Sequence, residues 1–354
     1  MKNTLVLKVN PEKPEKEIMQ ISAGIIKKGG IVAFPTETVY GLGADAFNPK
    51  AVRALFEAKK RPLDNPPIIH IEKTADLYKL ARNVPPETEL LMKCFWPGPL
   101  TLVLKRLKAV PEVTVAGLDT VAVRAPKHQV ALALIRESGC PIAAPSANLA
   151  GKPSPTTAAH VLEDLNGRID AILDAGPTRV GVESTVLDMS TSPPQILRPG
   201  GTTLEVLCKV LGNVKLHPFV AADKEIAIGE SRSPGMKHKH YAPKAKLILV
   251  EGNILAVAEK INEIADVYRQ KGCKVGILST DENETKYEEA VVKSLGSRFN
   301  LDAIAQNLFR LLREFDAESV EVIIAEGLPS EGIGLAVMNR LRKASGYNII
   351  MAMK

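Results

Sequence analysis

The sequence predicts a two-domain α/β protein, with a larger N-terminal unit on a twisted mixed sheet at residues 1–228, a linker at 229–244 and a smaller α/β domain at 245–354. Short apolar runs with β character recur at irregular intervals through the first two thirds of the chain, between helical stretches and Pro/Gly turns. That spacing suits a mixed sheet better than strict βαβ alternation. The stretch from Gly229 to Lys244, GESRSPGMKHKHYAPK, holds two prolines, two glycines and almost no aliphatic side chains, the composition of an interdomain connection. Beyond it AKLILV, KVGILS and VEVIIAEG alternate with helical segments, as in a small parallel sheet with helices on both faces.

Taken in order, TLVLKV is the first strand and a helix follows from about Glu15 to Lys28, ended by Gly29-Gly30. IVAF is a buried strand; PIIHI, LTLVL, TVAVRA, CPIAA, AILDAG, STVLDM and QILR are further strands. AVRALFEAKK and QVALALIRES are helices between them. There is no internal repeat and no low-complexity tract.

The 354 residues and 45% hydrophobic content fit two domains with real cores. Lys+Arg 46 against Asp+Glu 40 leaves a net charge of +6, an excess that suits an anionic ligand or RNA as well as an ordinary basic surface. Cys94, Cys140, Cys208 and Cys273 form no CxxC pair, so neither a zinc ribbon nor a disulfide framework is indicated. The N-terminus has no apolar signal-peptide core, and no apolar run approaches the ~18–20 residues of a membrane span. A soluble cytoplasmic protein with no membrane partner is expected.

Several loops carry chemistry. In GGIVAFPTETVYGLGAD the strand ends at Pro35 and releases Thr36, Glu37, Thr38 and Tyr40, polar groups that either line a cleft or satisfy their own turn. No GxGxxG or GxxxxGK[ST] is present, which removes the usual support for dinucleotide and P-loop readings. Lys59 and Arg61, before Pro62, either complement a helix C-terminus or, if the backbone unwinds, converge on one anion. His70 alternates with Ile69 and Ile71 and so faces away from them. Arg124 lies within an apolar β run, where a guanidinium requires a carboxylate or phosphate, supplied internally or by a ligand. In CPIAAPSANLAGKPSPTTAAHVLEDL, Ser146, Asn148, Gly151, Ser154 and Thr156 precede a helix, making a phosphate cradle or a set of helix caps. Glu183 and Ser184 open a later strand, and Arg198 ends another before Gly-Gly.

The ordered set FPTETVYGLG, KKRPLDNPPIIHI, WPGPLTLVL, VAVRAP, APSANLAGKPSPT, ESTVLD and LRPGG resembles the YrdC family. Lys59, Arg61, Ser146 and Asn148 stand at its KxR and SxN positions, and the linker and small domain match its longer two-domain form. The resemblance implies a YrdC-like twisted open sheet with a concave basic surface, plus a Rossmann-like C-terminal domain. It implies an enzyme, a nucleotidyltransferase that makes threonylcarbamoyl-AMP and pyrophosphate from ATP, L-threonine and bicarbonate or CO2, with Mg2+ accompanying the ATP. The product would pass to a downstream tRNA threonylcarbamoyl transferase for N6-threonylcarbamoyladenosine at position 37, with a weak tRNA contact among the expectations.

Carried over residue by residue, the resemblance implies threonine binding by Thr36, His70, Thr120, Arg124, Ala144 and Ser184. ATP binding falls to Lys59, Leu63, Ser146, Asn148, Ser154, Arg198 and the linker's His240 or Tyr241, with Leu63 and Ala144 offering only backbone or shape. Lys59 and Arg61 are the expected catalytic cations, neutralising the phosphates, and Arg124 is expected to take the amino acid carboxylate. The linker around Pro234-Gly235, with Lys237, His238, Lys239, His240 and Tyr241, is a lid to be tested, and no metal site is assigned to the protein. A non-catalytic RNA-binding module and a carbamoyl-adenylate-forming carbamoyltransferase are the competing readings. Only 4% aromatic content argues against base stacking in the first, and the missing cysteine-rich fingers argue against the second.

Overall fold

A computed structural model describes residues 3–221 and 240–353; the expected linker at 229–244 lies mostly outside them, including Pro234, Gly235, Lys237, His238 and Lys239. The chain separates into two compact units, one holding residues 3–150 and 154–221, the other 151–153 and 240–353.

The first unit contains β1 (Leu5–Lys8), β2 (Val32–Phe34), β3 (Gly41–Asp45), β4 (Ile68–His70), β5 (Leu100–Lys105), β6 (Thr120–Arg124), β7 (Ile142–Ala144), β8 (Ala171–Asp174), β9 (Thr185–Asp188), β10 (Gln195–Arg198) and β11 (Lys215–Leu216). They form one sheet in the order β1-β8-β2-β3-β7-β4-β6-β5-β9-β10-β11. Pairing is mixed: β4 runs parallel to β6, and β5 to β9, while β2/β3, β3/β7, β4/β7, β5/β6 and β9/β10 are antiparallel.

Helices α1 (Lys16–Lys27), α2 (Pro49–Lys59), α3 (Pro86–Phe95), α4 (Gln129–Ser138), α5 (Ala158–Leu165), α6 (Leu204–Leu211) and α7 (Pro218–Ala221) connect the strands. Local chemistry sets their ends. The Asn48 side chain accepts from the amides of Lys50 and Ala51 at the start of α2, and the helix stops where Lys60 takes a left-handed conformation. Gly139 ends α4 in the same way. α1 ends at Lys27, and Gly29 follows with positive φ.

Alternation along the central strands separates two environments. Ile69, Leu102, Leu104, Val121, Val123, Leu187 and Ile196 enter a large apolar core shared with Phe56, Leu91 and Trp96. On the opposite face Ile68, Val103, Ala122, Val186 and Leu197 form a small cluster, against which Phe219 packs. By the two-residue period, His70, Thr120 and Arg124 belong to this second face. His70 pairs with Ile142 and Ile68 with Ala144 on this face, where Phe34, Ile142 and Ala144 belong to a further apolar cluster, so the polar groups lie between two apolar clusters.

The second unit is a five-stranded, wholly parallel sheet of β12 (Lys246–Gly252), β13 (Val275–Ser279), β14 (Val291–Ser294), β15 (Val322–Glu326) and β16 (Ile349–Ala352). Its order is β14-β13-β15-β12-β16, which places β15 between β13 and β12 and so departs from the usual dinucleotide-fold order. α8 (Ile254–Gln270), α9 (Leu301–Ala317) and α10 (Gly334–Ala344) accompany it. Ile248, Val250, Ile261, Ile277, Val322 and Ile324 form its core with Tyr287. Glu326 is fully buried at the end of β15, where Thr280, Asn283 and Tyr287 donate to its carboxylate at 2.9, 3.2 and 2.7 Å.

Candidate active site

Two strand-end loops of the first unit are joined by backbone hydrogen bonds. Leu42 donates to Pro145 at 2.8 Å, Ala147 to Tyr40 at 2.8 Å and Tyr40 to Pro155 at 2.9 Å. A third segment is tied to the same place by Val180 donating to Glu37 at 2.8 Å and Gly181 to Thr38 at 3.1 Å. The Tyr40 hydroxyl donates to the Gly176 carbonyl at 2.7 Å and accepts from Ala175 at 3.3 Å, and burial pushes its pKa up. These bonds place the PTETVY, PSAN and GVES stretches side by side, although they are far apart in sequence.

Arg124 ends β6 with its guanidinium almost fully buried. Nε donates to the Gly98 carbonyl at 3.1 Å, Nη1 to Thr38 Oγ1 at 3.0 Å, and Nη2 lies 2.7 Å from Glu37 Oε2. The carboxylate that a buried arginine requires is therefore internal. The hydroxyl polarity also follows. Thr36 uses its one proton on the Val39 carbonyl at 2.7 Å, so across the 2.8 Å Thr36–Thr38 contact the donor is Thr38, whose oxygen accepts from Arg124.

His70 pairs with Arg124 in parallel register and with Ile142 on the other side. Its Nδ1 lies 3.1 Å from the Ile68 carbonyl, and Phe34 meets the ring edge-on. Burial, reinforced by the Arg124 charge, drives its pKa down to about 3, so the imidazole is neutral at ordinary pH. Ala144 pairs with Ile68 one strand away. Thr120 starts β6 opposite Lys105, ~13 Å along the strand from Arg124 at ~3.3 Å per residue, and so stands apart from that group.

Ser184 joins a separate network. Its carbonyl accepts from Arg198 Nε and Nη2 at 3.1 and 2.9 Å, its hydroxyl lies 3.2 Å from Nη2, and Thr101 Oγ1 is 2.8 Å away. Ser154 donates to Glu183 at 2.6 Å next to it. Gly200 makes this possible, because a Cβ there would lie 2.3 Å from the Glu183 carbonyl oxygen and the Thr185 nitrogen.

Lys59, the last residue of α2, is 1% exposed and directs Nζ to the carbonyls of Ser146 and of Asn148, the latter at 2.5 Å. Ser146 donates to Asn148 Oδ1 at 2.6 Å. A buried ammonium demands such acceptors, so the lysine of KxR and both polar residues of SxN form one structure. Arg61 follows the helix end and braces the next turn, with Nε donating to Asn65 at 3.1 Å and Nη2 to Pro66 at 3.4 Å. The two cations thus act on adjacent backbone segments, Lys59 on the 146–148 loop and Arg61 on its own turn. Leu63 is exposed on that turn.

Tyr241 belongs to the second unit, where it is 5% exposed, stacks on Phe309 at 5.4 Å and lies under Arg340 at 5.6 Å, with His240 beside it. The first unit therefore assembles Thr36, His70, Arg124 and Ala144 in one neighbourhood, and links Lys59, Ser146 and Asn148 in another. Glu37, Thr38, Thr101 and Glu183 are participants not assigned from the sequence. Glu37 was within reach, since Arg124 required an acid and Glu37 is the acid of the polar run after β2.

Residues 24–200 match the model of the Sua5/YciO/YrdC family, described as "Telomere recombination", and residues 202–346 match the threonylcarbamoyl-AMP synthase C-terminal domain. The chain is 51% identical to the threonylcarbamoyl-AMP synthase of Pyrococcus abyssi over 98% of its own length and 99% of the relative's. With that of Bacillus subtilis it shares 50% identity over 93% of each chain. The crystal structure of P. abyssi Sua5 complexed with L-threonine superposes with a TM-score of 0.94 at 51% identity, covering 99% of this chain and 100% of that one. The α/β sheet with its paired polar loops is that of the Sua5/YciO/YrdC family, to which this chain belongs. Within the family it has the two-domain form, since both domain models match in order along one chain.

Proposed function

We infer that this chain catalyses the formation of threonylcarbamoyl-AMP and pyrophosphate from L-threonine, bicarbonate or CO2, and ATP, a nucleotidyl transfer that precedes N6-threonylcarbamoyladenosine formation on tRNA. The observation that carries the reading is the direct bonding of the PTETVY loop to the PSAN loop. It sets the Arg124 neighbourhood beside the Lys59-anchored turn, as the joining of two substrates requires.

The threonine carboxylate is assigned to Arg124 and the Thr36–Thr38 hydroxyl pair, and its β-carbon side to the small residues around Ala144. His70, held neutral, adds no charge that would compete for the carboxylate. The nucleotide is assigned to the segment of Ser146, Asn148 and Ser154, where Lys59 fixes the backbone and contributes its charge, with Arg61 and Arg198 adding positive potential. Mg2+ enters as part of the ATP substrate, its usual mode with a nucleotide. The threonine ammonium loses a proton, the free amine adds to CO2 (bicarbonate less water) and sheds a second proton to leave a carbamate anion; one carbamate oxygen then attacks the α-phosphorus, the bond to the bridging oxygen breaks, and pyrophosphate departs with the electron pair. Fixed cations and dipoles stabilise the charge that develops there.

The test is release of AMP-containing product and pyrophosphate by the purified protein, with threonine and bicarbonate each omitted in turn. Both omissions should abolish release. Lys59→Ala should lower the threonine-dependent rate about 10²–10³-fold, the usual effect of losing one preorganised electrostatic group. Pyrophosphate release indifferent to threonine refutes the reading.

A further inference from the structure

We propose that Glu37 is the acceptor for the substrate's α-amino group, so that the buried Glu37–Arg124 pair recognises the two ends of an amino acid zwitterion. The inference rests on the assignment of threonine to this site and adds a residue and a role to it. Glu37 and Arg124 have side chains only 8% and 4% exposed and approach to 2.7 Å. The pair nevertheless leaves hydrogen-bonding capacity unused, since neither Glu37 carboxylate oxygen and not Arg124 Nη2 has a hydrogen-bond partner in the protein. The 2.7 Å approach is thus charge contact without hydrogen-bond geometry.

Nε and Nη1 of Arg124 are committed to Gly98 and Thr38, so the unused donor is the one beside the unused acceptors. Buried polar groups of this kind are costly unless something completes them. A carboxylate on the ligand fits Nη2, and an ammonium or amine N–H fits Glu37.

Charge leads to the same ligand. Arg124 and Glu37 carry opposite charges 2.7 Å apart, and His70 in the next strand is uncharged, so these three groups together carry no net charge. A purely anionic ligand would gain from Arg124 and be repelled by Glu37 at nearly the same distance. A zwitterion gains from both. Glu37 therefore selects α-amino acids over hydroxy acids of the same shape, and it holds the nitrogen that is to receive the carboxyl carbon. Its backbone is fixed for the task, because Val180 donates to the Glu37 carbonyl and Thr36 and Thr38 on either side are hydrogen-bonded.

The experiment is isothermal titration calorimetry with the full chain, comparing L-threonine with 2,3-dihydroxybutanoate, which replaces the amino group with hydroxyl and keeps the carboxylate. The wild-type protein should prefer threonine by at least tenfold. Glu37→Gln should erase most of that preference by weakening threonine much more than the hydroxy acid, and Glu37→Asp should restore part of it. If Glu37 serves only to hold Arg124, Glu37→Gln weakens both ligands by the same factor and the proposal falls. Equal affinity of the wild-type protein for the two ligands also overturns it, with no variant required. Threonine binding by neither protein, together with threonine-independent pyrophosphate release, instead removes the assignment of threonine itself.

Discussion

At the scale of single residues, the site is governed by how each buried ionisable group is completed. Arg124 meets an internal acid, Lys59 meets carbonyls, and His70 sheds its charge. The last has a measurable consequence. His70 has a folded-state pKa of about 3 against an unfolded value near 6.5. Between those values the unfolded chain binds more protons than the native one. Stability contributed by the neutral imidazole is therefore complete above pH ~6.5 and is lost as pH falls toward 3. His70→Gln, which cannot titrate, should flatten the fall in melting temperature between pH 6.5 and 4; an identical slope in both proteins would contradict the assigned pKa. That His70 faces away from Ile69 and Ile71 was readable from alternation, and that Arg124 needs an anionic partner was readable from its apolar run. That His70 and Arg124 would be register neighbours was not, because 54 residues separate two strands whose pairing depends on the rest of the sheet.

At the scale of elements, glycine explains both what could be read and what could not. The segment GLGAD looks like a loop because Gly41 and Gly43 have weak strand propensity, yet it is β3, paired antiparallel with β2 and β7. Glycine is used there for space: a Cβ on Gly43 would lie 2.8 Å from both Phe34 and Ile142. Strands with apolar alternation, such as β5 and β6, fall where the sequence indicates. β11, β14 and β16 were not anticipated, being short or at sheet edges, where pairing partners decide the conformation. Two glycines should respond oppositely to alanine. Gly200→Ala drives a methyl into the backbone of residues 183–185 and should cost about 3 kcal/mol in urea unfolding, with loss of synthase activity through Ser184. Gly24 sits inside α1 with no atom near its missing Cβ, so Gly24→Ala should gain about 0.5–1 kcal/mol.

At the scale of the whole molecule, two units with separate cores invite separate unfolding transitions rather than a single one. Threonine is assigned wholly to the first unit, and a ligand stabilises only what it binds, by about 2.7 kcal/mol at a hundred times its Kd. Calorimetric scans with saturating L-threonine should raise the transition of the first unit and leave that of the second in place. A uniform shift of all melting would place threonine elsewhere or show the units to be one cooperative body. In the sequence, residues 229–244 break the apolar pattern and β12–β13–β15 restore it in a parallel rhythm, whereas nothing in that pattern marks residues 151–153, which belong to the second unit. The assignment of Tyr241 to the connection was less informative than its ring, which is packed with Phe309 and Arg340 inside the second unit.

The lattice of amide bonds joining residues 37–42 to 145–155 and 180–181 constrains how this chain can change its length. An added or deleted residue in any one of the three segments shifts the donors and acceptors of the other two out of step, so both proposed substrate subsites should be disturbed together. Surface bends such as Lys108-Ala109, whose exposed side chains answer to no distant partner of this kind, are where a change of length should be tolerated, and a designer wishing to graft a tag or a second domain has the same latitude.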